Sequence, residues 1–306
     1  MSAIAVGVAG AAAVVATGCA SLDRWQREAI FQTEVAARVY GRAAPDSAEQ
    51  FDLPLPGGGE TGADTVRFWY LASPDPGAST VLFLHGARRN LYDNAARIER
   101  LNALGFNVLA MDYRGFGRST RILPTEESAL EDARLGFAEL QRRQPVGRKR
   151  LLYGYSLGGA VAIALAEQVD GVAAVVVEAT FTSIADVVRQ RRWIPFIGLA
   201  VTQKFDSLAR ITQVNEPLLF LHGTADRVVP HAMSDQLHDA ARRVPAELKR
   251  VVKIEGASHW GVMSLDPDSF GRSVRDFLAV ATGTARASSG ATSATTSSAA
   301  SASLPR

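Results

Sequence analysis

The stretch LLYGYSLGGAVAIALAEQV, Leu151 to Val169, decides how this chain is read. It opens as an apolar strand, passes through Gly154-Tyr155-Ser156-Leu157-Gly158, and continues as a helix-like run of small residues. G-x-S-x-G between a strand and a helix puts the serine on a sharp, strained turn that lifts its Oγ above a sheet edge. Gly154 and Gly158 lack the side chains that would collide where strand and helix close around that turn. Ser156 is therefore a candidate nucleophile. A serine hydroxyl is a poor nucleophile at neutral pH. It needs a base within hydrogen-bond reach and a carboxylate to orient that base.

Both partners follow downstream in the order Ser, Asp, His. LLFLHGTADRVVP places Asp226 just past the end of an apolar strand, and KIEGASHWG places His259 just past the next one. Glu178, at the end of an earlier strand, is a rival to Asp226. His222 sits at a strand end and reads as structural, while His231 and His238 fall on a helical stretch. A developing oxyanion needs two donors. The residue after the nucleophile, Leu157, supplies one backbone N–H, and Ala87 in the loop HGARRN supplies the other. His85 reads as a brace for that loop.

Outward from the elbow, apolar strand-like runs alternate with helical patterns. Strands are expected at Val66–Leu71, Thr80–His85, Asn107–Asp112, Arg150–Tyr155, Val172–Ala179, Leu218–Gly223 and Lys249–Glu255. Helices are expected at Asn90–Leu104, Thr125–Gln144, Leu157–Val169, His231–Arg243 and Pro267–Thr282. Near-continuous apolar strands such as VLFLH and VAAVVVEA are those of a sheet covered on both faces. The fold class is therefore α/β, a doubly wound and mostly parallel sheet. Residues 180–217 break the rhythm and predict a small cap, with Trp193, Ile194, Pro195 and Phe196 facing a pocket. WQREAIFQTEVAARVYG has helical spacing and FDLPLP reads as an edge strand. Both are expected to pack on the sheet edge without chemistry.

The 306 residues are 47% hydrophobic and 21% charged, a balance suited to a large buried core. The net charge of +2, with arginines scattered along the chain, argues against a nucleic-acid partner. Cys19 is the single cysteine, so no intrachain disulfide forms, and no His, Cys or carboxylate cluster has metal-ligand spacing. Residues 2–22 carry no charged side chain and reach small residues at Cys19, as a secretory signal does. Ala16-Thr17-Gly18-Cys19 resembles a bacterial lipobox, which implies lipidation of Cys19 and a membrane tether in the periplasm or outer membrane. The expected division is a signal segment over 1–21, the α/β domain over 22–282 and a Ser/Ala/Thr-rich tail over 283–306. The tail lacks the apolar content to order itself.

HGARRN, DYRGFGRS (Asp112 to Ser119), GYSLGG, HGTADRVVP and ASHWG resemble, in order and spacing, the α/β-hydrolase superfamily. They are most similar to its small-capped Bem46-like branch, grouped with the serine aminopeptidase S33-type domain. That branch tends to carry Asn-Asp after its histidine, where this chain has Trp260-Gly261. The resemblance implies hydrolysis of a carboxylic ester, thioester or amide, with no metal or organic cofactor and a small-molecule or acylated substrate. It makes DYRGFGRS a structural turn. An acyl-protein thioesterase or serine peptidase is the alternative within this chemistry. A non-catalytic binding protein on the same fold is the alternative outside it.

Overall fold

The computed structural model describes residues 18–36, 43–191 and 200–283. Eight strands form one sheet: β1 (Glu49–Pro54), β2 (Thr65–Leu71), β3 (Thr80–Leu84), β4 (Asn107–Met111), β5 (Arg150–Tyr155), β6 (Ala174–Glu178), β7 (Leu218–Gly223) and β8 (Lys249–Ile254). Their spatial order is β1-β2-β4-β3-β5-β6-β7-β8. The β1–β2 and β2–β4 pairs are antiparallel and every later pair is parallel. This is the expected doubly wound sheet. The predicted strands fall where expected, with ends differing by one or two residues.

Among the described residues the longer helices that flank it are α1 (residues 18–31), α2 (Ala95–Ala103), α3 (Glu126–Arg143), α4 (Leu157–Ala166), α5 (Ile184–Arg191), α6 (Ala232–Ala240) and α7 (Pro267–Ala281). Side chains alternate across each strand, so the two faces have separate cores. Val81, Phe83 and Tyr153 pack with Ile98 of α2 and Phe270, Val274 and Phe277 of α7. Leu82, Leu84 and Leu152 pack with Ala133 of α3, Val161 and Leu165 of α4 and Met233 of α6. Every residue of α4 is buried. That explains why its sequence is apolar all round and lacks the one-sided pattern of a surface helix. α3 starts on a reciprocal cap, with Thr125 Oγ1 accepting from Ser128 N and Ser128 Oγ accepting from Thr125 N, both at 2.9 Å.

β4 and β5 lie on opposite sides of β3, so the chain leaving β3 and the chain leaving β5 diverge between them. Open α/β sheets form their ligand crevice at such a reversal, beyond the carboxyl ends of the strands. Parallel register pairs Leu84 with Gly154. The loop after β3 therefore emerges beside Ser156.

β1 pairs on the sheet edge as expected, but α1 corrects the expectation of a helix without bearing on the site. Gln26 Nε2 donates to Ala200 O at 2.7 Å, and Gln26 Oε1 accepts from Thr202 N at 2.9 Å. Arg27 Nε donates to Pro124 O at 2.9 Å. Phe31 is fully buried, edge-on to Phe116 and Phe205. Long-range contacts to residues far along the chain thus hold α1 over the crevice. Helical periodicity carries no record of them. Cys19 is exposed near the start of the described part of α1. Among the described residues no helix is long and apolar enough to cross a membrane. Trp193 to Phe196, residues 1–17 and the tail from 284 lie outside the described residues.

The DYRGFGRS turn is structural. Asp112 Oδ1 accepts from Leu91 N at 2.8 Å and so ties the turn to the loop after β3. Arg114 is buried, with Nε on Asp132 (2.7 Å), Nη1 on Asp64 (2.8 Å) and Nη2 on Glu131 (2.7 Å). It staples the β1–β2 hairpin to α3. Removing it strands two buried carboxylates, a change that costs about 3–5 kcal/mol. Arg114→Ala is expected to lower the urea-unfolding free energy by about that amount. A loss below about 1 kcal/mol would show that the cluster does not hold the hairpin.

Candidate active site

Ser156 closes β5 and opens α4 with φ 54° and ψ −118°. A non-glycine residue at positive φ is uncommon and persists only where its surroundings over-determine it. Here they do. Ser156 N donates to Glu178 O at 2.8 Å, and Thr180 Oγ1 donates to Ser156 O at 2.9 Å. A Cβ on Gly154 would lie 2.3 Å from Gly158 O, and one on Gly158 would lie 2.0 Å from Leu84 O. Only glycine at both positions lets the strand, the helix and the end of β3 come this close.

The loops after β7 and β8 bring their side chains to the elbow. His259 Nε2 lies 3.0 Å from Ser156 Oγ, and His259 Nδ1 lies 2.7 Å from Asp226 Oδ2. The ionised carboxylate can only accept, so Nδ1 carries the proton and the Nε2 lone pair faces the serine. Asp226 Oδ1 accepts from Val228 N (2.7 Å) and Val229 N (2.8 Å). Burial pushes the Asp226 carboxyl up. Hydrogen bonds from His222, His259 and the Val229 backbone outweigh it and hold Asp226 well below the usual carboxylate range.

His222, expected to be structural, braces the acid. Its Nε2 lies 3.1 Å from both Asp226 Oδ2 and Val229 O, and its Nδ1 lies 2.6 Å from Ser234 Oγ. Two acceptors at Nε2 put the proton there, so a neutral His222 donates to Asp226 and accepts from Ser234. The signal was its place four residues before the acid at the strand end. Glu178, the rival acid, is fully buried and engaged elsewhere. Arg97 Nη2 donates to its Oε1 at 2.8 Å and Tyr153 OH donates to its Oε2 at 2.6 Å. Arg97 also lies 4.0 Å over the Tyr155 ring, and Tyr155 OH donates to His259 O at 3.3 Å.

Ala87 and Leu157 both line the cleft at Ser156. Among the described residues neither backbone N–H has an acceptor. Next to them, Arg88 has φ 68° and donates its N–H to Phe31 O at 3.0 Å, so α1 pins the loop that carries Ala87. The cleft holds about 900 Å³. Its apolar wall comes from Ile30 of α1, Phe181, Ile184 and Val187 at the start of the 180–217 segment, Val228 and Met263. The arrangement can deprotonate the serine through His259, steady the resulting imidazolium with Asp226, and donate two N–H groups to an oxygen beside Ser156.

The family described as Hydrolase_4, serine aminopeptidase, S33, matches residues 75–209. The uncharacterized protein YfhR of Escherichia coli O157:H7 is 32% identical over 232 residues, covering 72% of this chain and 76% of that protein. Protein bem46 of Schizosaccharomyces pombe is 34% identical over 160 residues, covering 49% of this chain and 52% of its own length. The solved esterase Pf2001 of Pyrococcus furiosus superposes with a TM-score of 0.62 at 22% identity, covering 79% of this chain and 94% of that one. Sequence and fold agree that the chain belongs to the α/β-hydrolase superfamily and carries a Bem46-like domain of the serine aminopeptidase S33 type.

Proposed function

We propose that this protein hydrolyses carboxylic esters through an acyl-enzyme on Ser156. The observation that carries the reading is the unbroken relay from Ser156 Oγ to His259 to Asp226, with two N–H groups beside it that have no acceptor among the described residues. As Ser156 Oγ bonds to the ester carbonyl carbon, His259 Nε2 takes its proton. The carbonyl oxygen becomes an oxyanion held by Ala87 and Leu157, a contribution of about 3–4 kcal/mol per donor. Collapse breaks the bond to the leaving alcohol, which takes the proton from His259. Water then repeats the sequence on the acyl-enzyme and releases the acid.

The likeness in fold to a solved esterase supports the ester class. A thioester would be attacked in the same way, and a peptide would need more of the cleft to hold both sides of its bond. The apolar wall favours an acyl chain over an extended peptide. A panel of p-nitrophenyl esters of rising chain length, set against thioester and peptide substrates, ranks these. An exposed Cys19 on the described part of α1 supports lipidation there as a periplasmic or outer-membrane tether. Mass spectrometry of the native N-terminus tests it, since an unmodified thiol on a chain still starting at Met1 would refute it.

Ser156→Ala is expected to lower ester turnover by at least about 10³-fold with the circular dichroism spectrum unchanged. Labelling of Ser156 by a fluorophosphonate separates the enzyme from a binding protein on the same fold, because a protein that binds without catalysis leaves the probe unreacted.

Asp226→Asn is expected to cost about 10⁴-fold in turnover if the carboxylate sets the His259 tautomer. Glu178→Gln should cost less. The reverse order would assign the acid to Glu178.

The depressed Asp226 carboxyl gives a pH prediction. A carboxylate with a lowered folded value stabilises the fold above its unfolded value of about 3.9, and that stabilisation is lost as pH falls toward the folded value. Wild type should therefore lose stability relative to Asp226→Asn as pH drops from about 6 to about 3 in urea titrations. A stability difference that does not vary with pH would contradict the carboxylate's hydrogen-bonded state.

A further inference from the structure

Part of the cleft lining is basic. Arg88, Arg89, Arg97 and Arg100 belong to it, and Asp93 is the one carboxylate among the described lining residues. Two of these arginines are committed. Arg97 is paired with buried Glu178 and stacked on Tyr155. Arg100 Nη1 donates to Met263 O at 3.0 Å. Asp93 is turned onto its own loop, where its carboxylate accepts from Asn90 N at 3.3 Å. Arg88 and Arg89 are left without a carboxylate in ion-pair reach among the described residues.

Arg88 is exposed and Arg89 half-buried, and the backbone that carries them is fixed. Arg88 directly follows Ala87 and is held at φ 68° by its bond to Phe31 O. A bulky residue keeps such a backbone only where its neighbours impose it. The Arg89 guanidinium lies 5.9 Å from the centroid of the Trp260 ring, and that ring meets His259 edge-on at 5.5 Å. The charge of Arg89 also reaches Tyr155, the neighbour of Ser156. The loop that carries an oxyanion donor thus brings two arginines without a carboxylate partner among the described residues to the lining of the cleft, with the Arg89 guanidinium beside Trp260. A planar guanidinium matches a carboxylate or phosphate through paired, charge-assisted N–H donors, and the uncharged oxygens of a neutral ester draw less from it.

We infer that the cleft takes an ester bearing an anionic group, a carboxylate or phosphate, which Arg88 and Arg89 bind while the apolar wall takes the hydrocarbon. The ester part of this inference rests on the proposed reaction at Ser156. The recognition of an anion rests on the arginines alone.

Matched substrates test it. p-Nitrophenyl butyrate is compared with p-nitrophenyl hemiglutarate, which puts the anion on the acyl side. Phenyl butyrate is compared with its para-carboxylate and para-phosphate derivatives, which put it on the leaving group and distinguish the two anions. At least one anionic member should exceed its neutral partner about tenfold in kcat/KM, chiefly through KM. That advantage should shrink as salt rises. Arg89→Glu should abolish the anionic-to-neutral ratio, Arg88→Ala should reduce it, and Arg89→Lys should keep part of it. Equal or better turnover of every neutral partner overturns the inference, as does a ratio untouched by Arg88→Ala and Arg89→Glu. A binding arm separates it from the reaction itself. Anionic N-butylglutaramate, an amide analogue, should bind more tightly by calorimetry than neutral N-butylbutyramide, and Arg89→Glu should remove the difference. Anion-selective binding without turnover of any ester would keep the inference and sink the hydrolase reading. Ester turnover without anion preference in either arm would do the reverse.

Discussion

The approach of α4 to the ends of β5 and β3 is the contact on which the site depends. It brings Leu84 O within 2.0 Å of where a Gly158 Cβ would stand, and Gly158 O within 2.3 Å of a Gly154 Cβ. At that spacing the residue between strand and helix has no relaxed conformation available, and Ser156 is held at positive φ. The strain is fixed by a sheet bond from Ser156 N to Glu178 O and by the Thr180 hydroxyl. A reactive group exposed in this way is stabilised by the sheet rather than by its own backbone preference. It also leaves the first N–H of α4, on Leu157, without an acceptor among the described residues, as helix starts generally do.

Around that point two buried carboxylates are set apart by their partners. Asp226 accepts from two histidines and two backbone N–H groups, a donor set that stabilises its charge and leaves it placed to respond to an imidazolium at His259. Glu178 faces Arg97 and the Tyr153 hydroxyl, so its charge is already balanced. The Glu178–Arg97 pair instead steadies the floor of the cleft, because Arg97 lies on Tyr155 and Tyr155 bonds the backbone of His259. Removing one member of such a pair exposes an uncompensated charge, which makes the pair sensitive to substitution without making it reactive.

The loop after β3 serves two ends through one backbone. Asp112 anchors it from the turn after β4 through Leu91 N, and Phe31 O anchors it from α1 through Arg88 N. The amide of Ala87 and the backbone of Arg88 and Arg89 are therefore placed by the same constraints. Any displacement of α1 would reach the backbone that carries both the donor beside Ser156 and the two arginines.

Local pattern was enough for the sheet and for the serine. Apolar runs such as VLFLH and LLFLHG can bury both faces only inside a parallel sheet, and strand, G-x-S-x-G and helix in succession can close only as a tight turn. Asp226 and His259 were legible because each follows a strand whose C-terminal end faces the same crevice. The roles of His222, Glu178 and α1 were not. Each depends on side chains brought together from distant parts of the chain: His222 on Ser234 and Val229 O, Glu178 on Arg97 across 81 residues, and α1 on Ala200, Thr202 and Pro124. HGARRN announced two arginines after Ala87, but a sequence cannot say whether a charge is paired. Tertiary structure decided that, by giving Glu178 to Arg97 and leaving Arg88 and Arg89 without a carboxylate partner among the described residues, because ion pairing depends on distance in space and not on position along the chain.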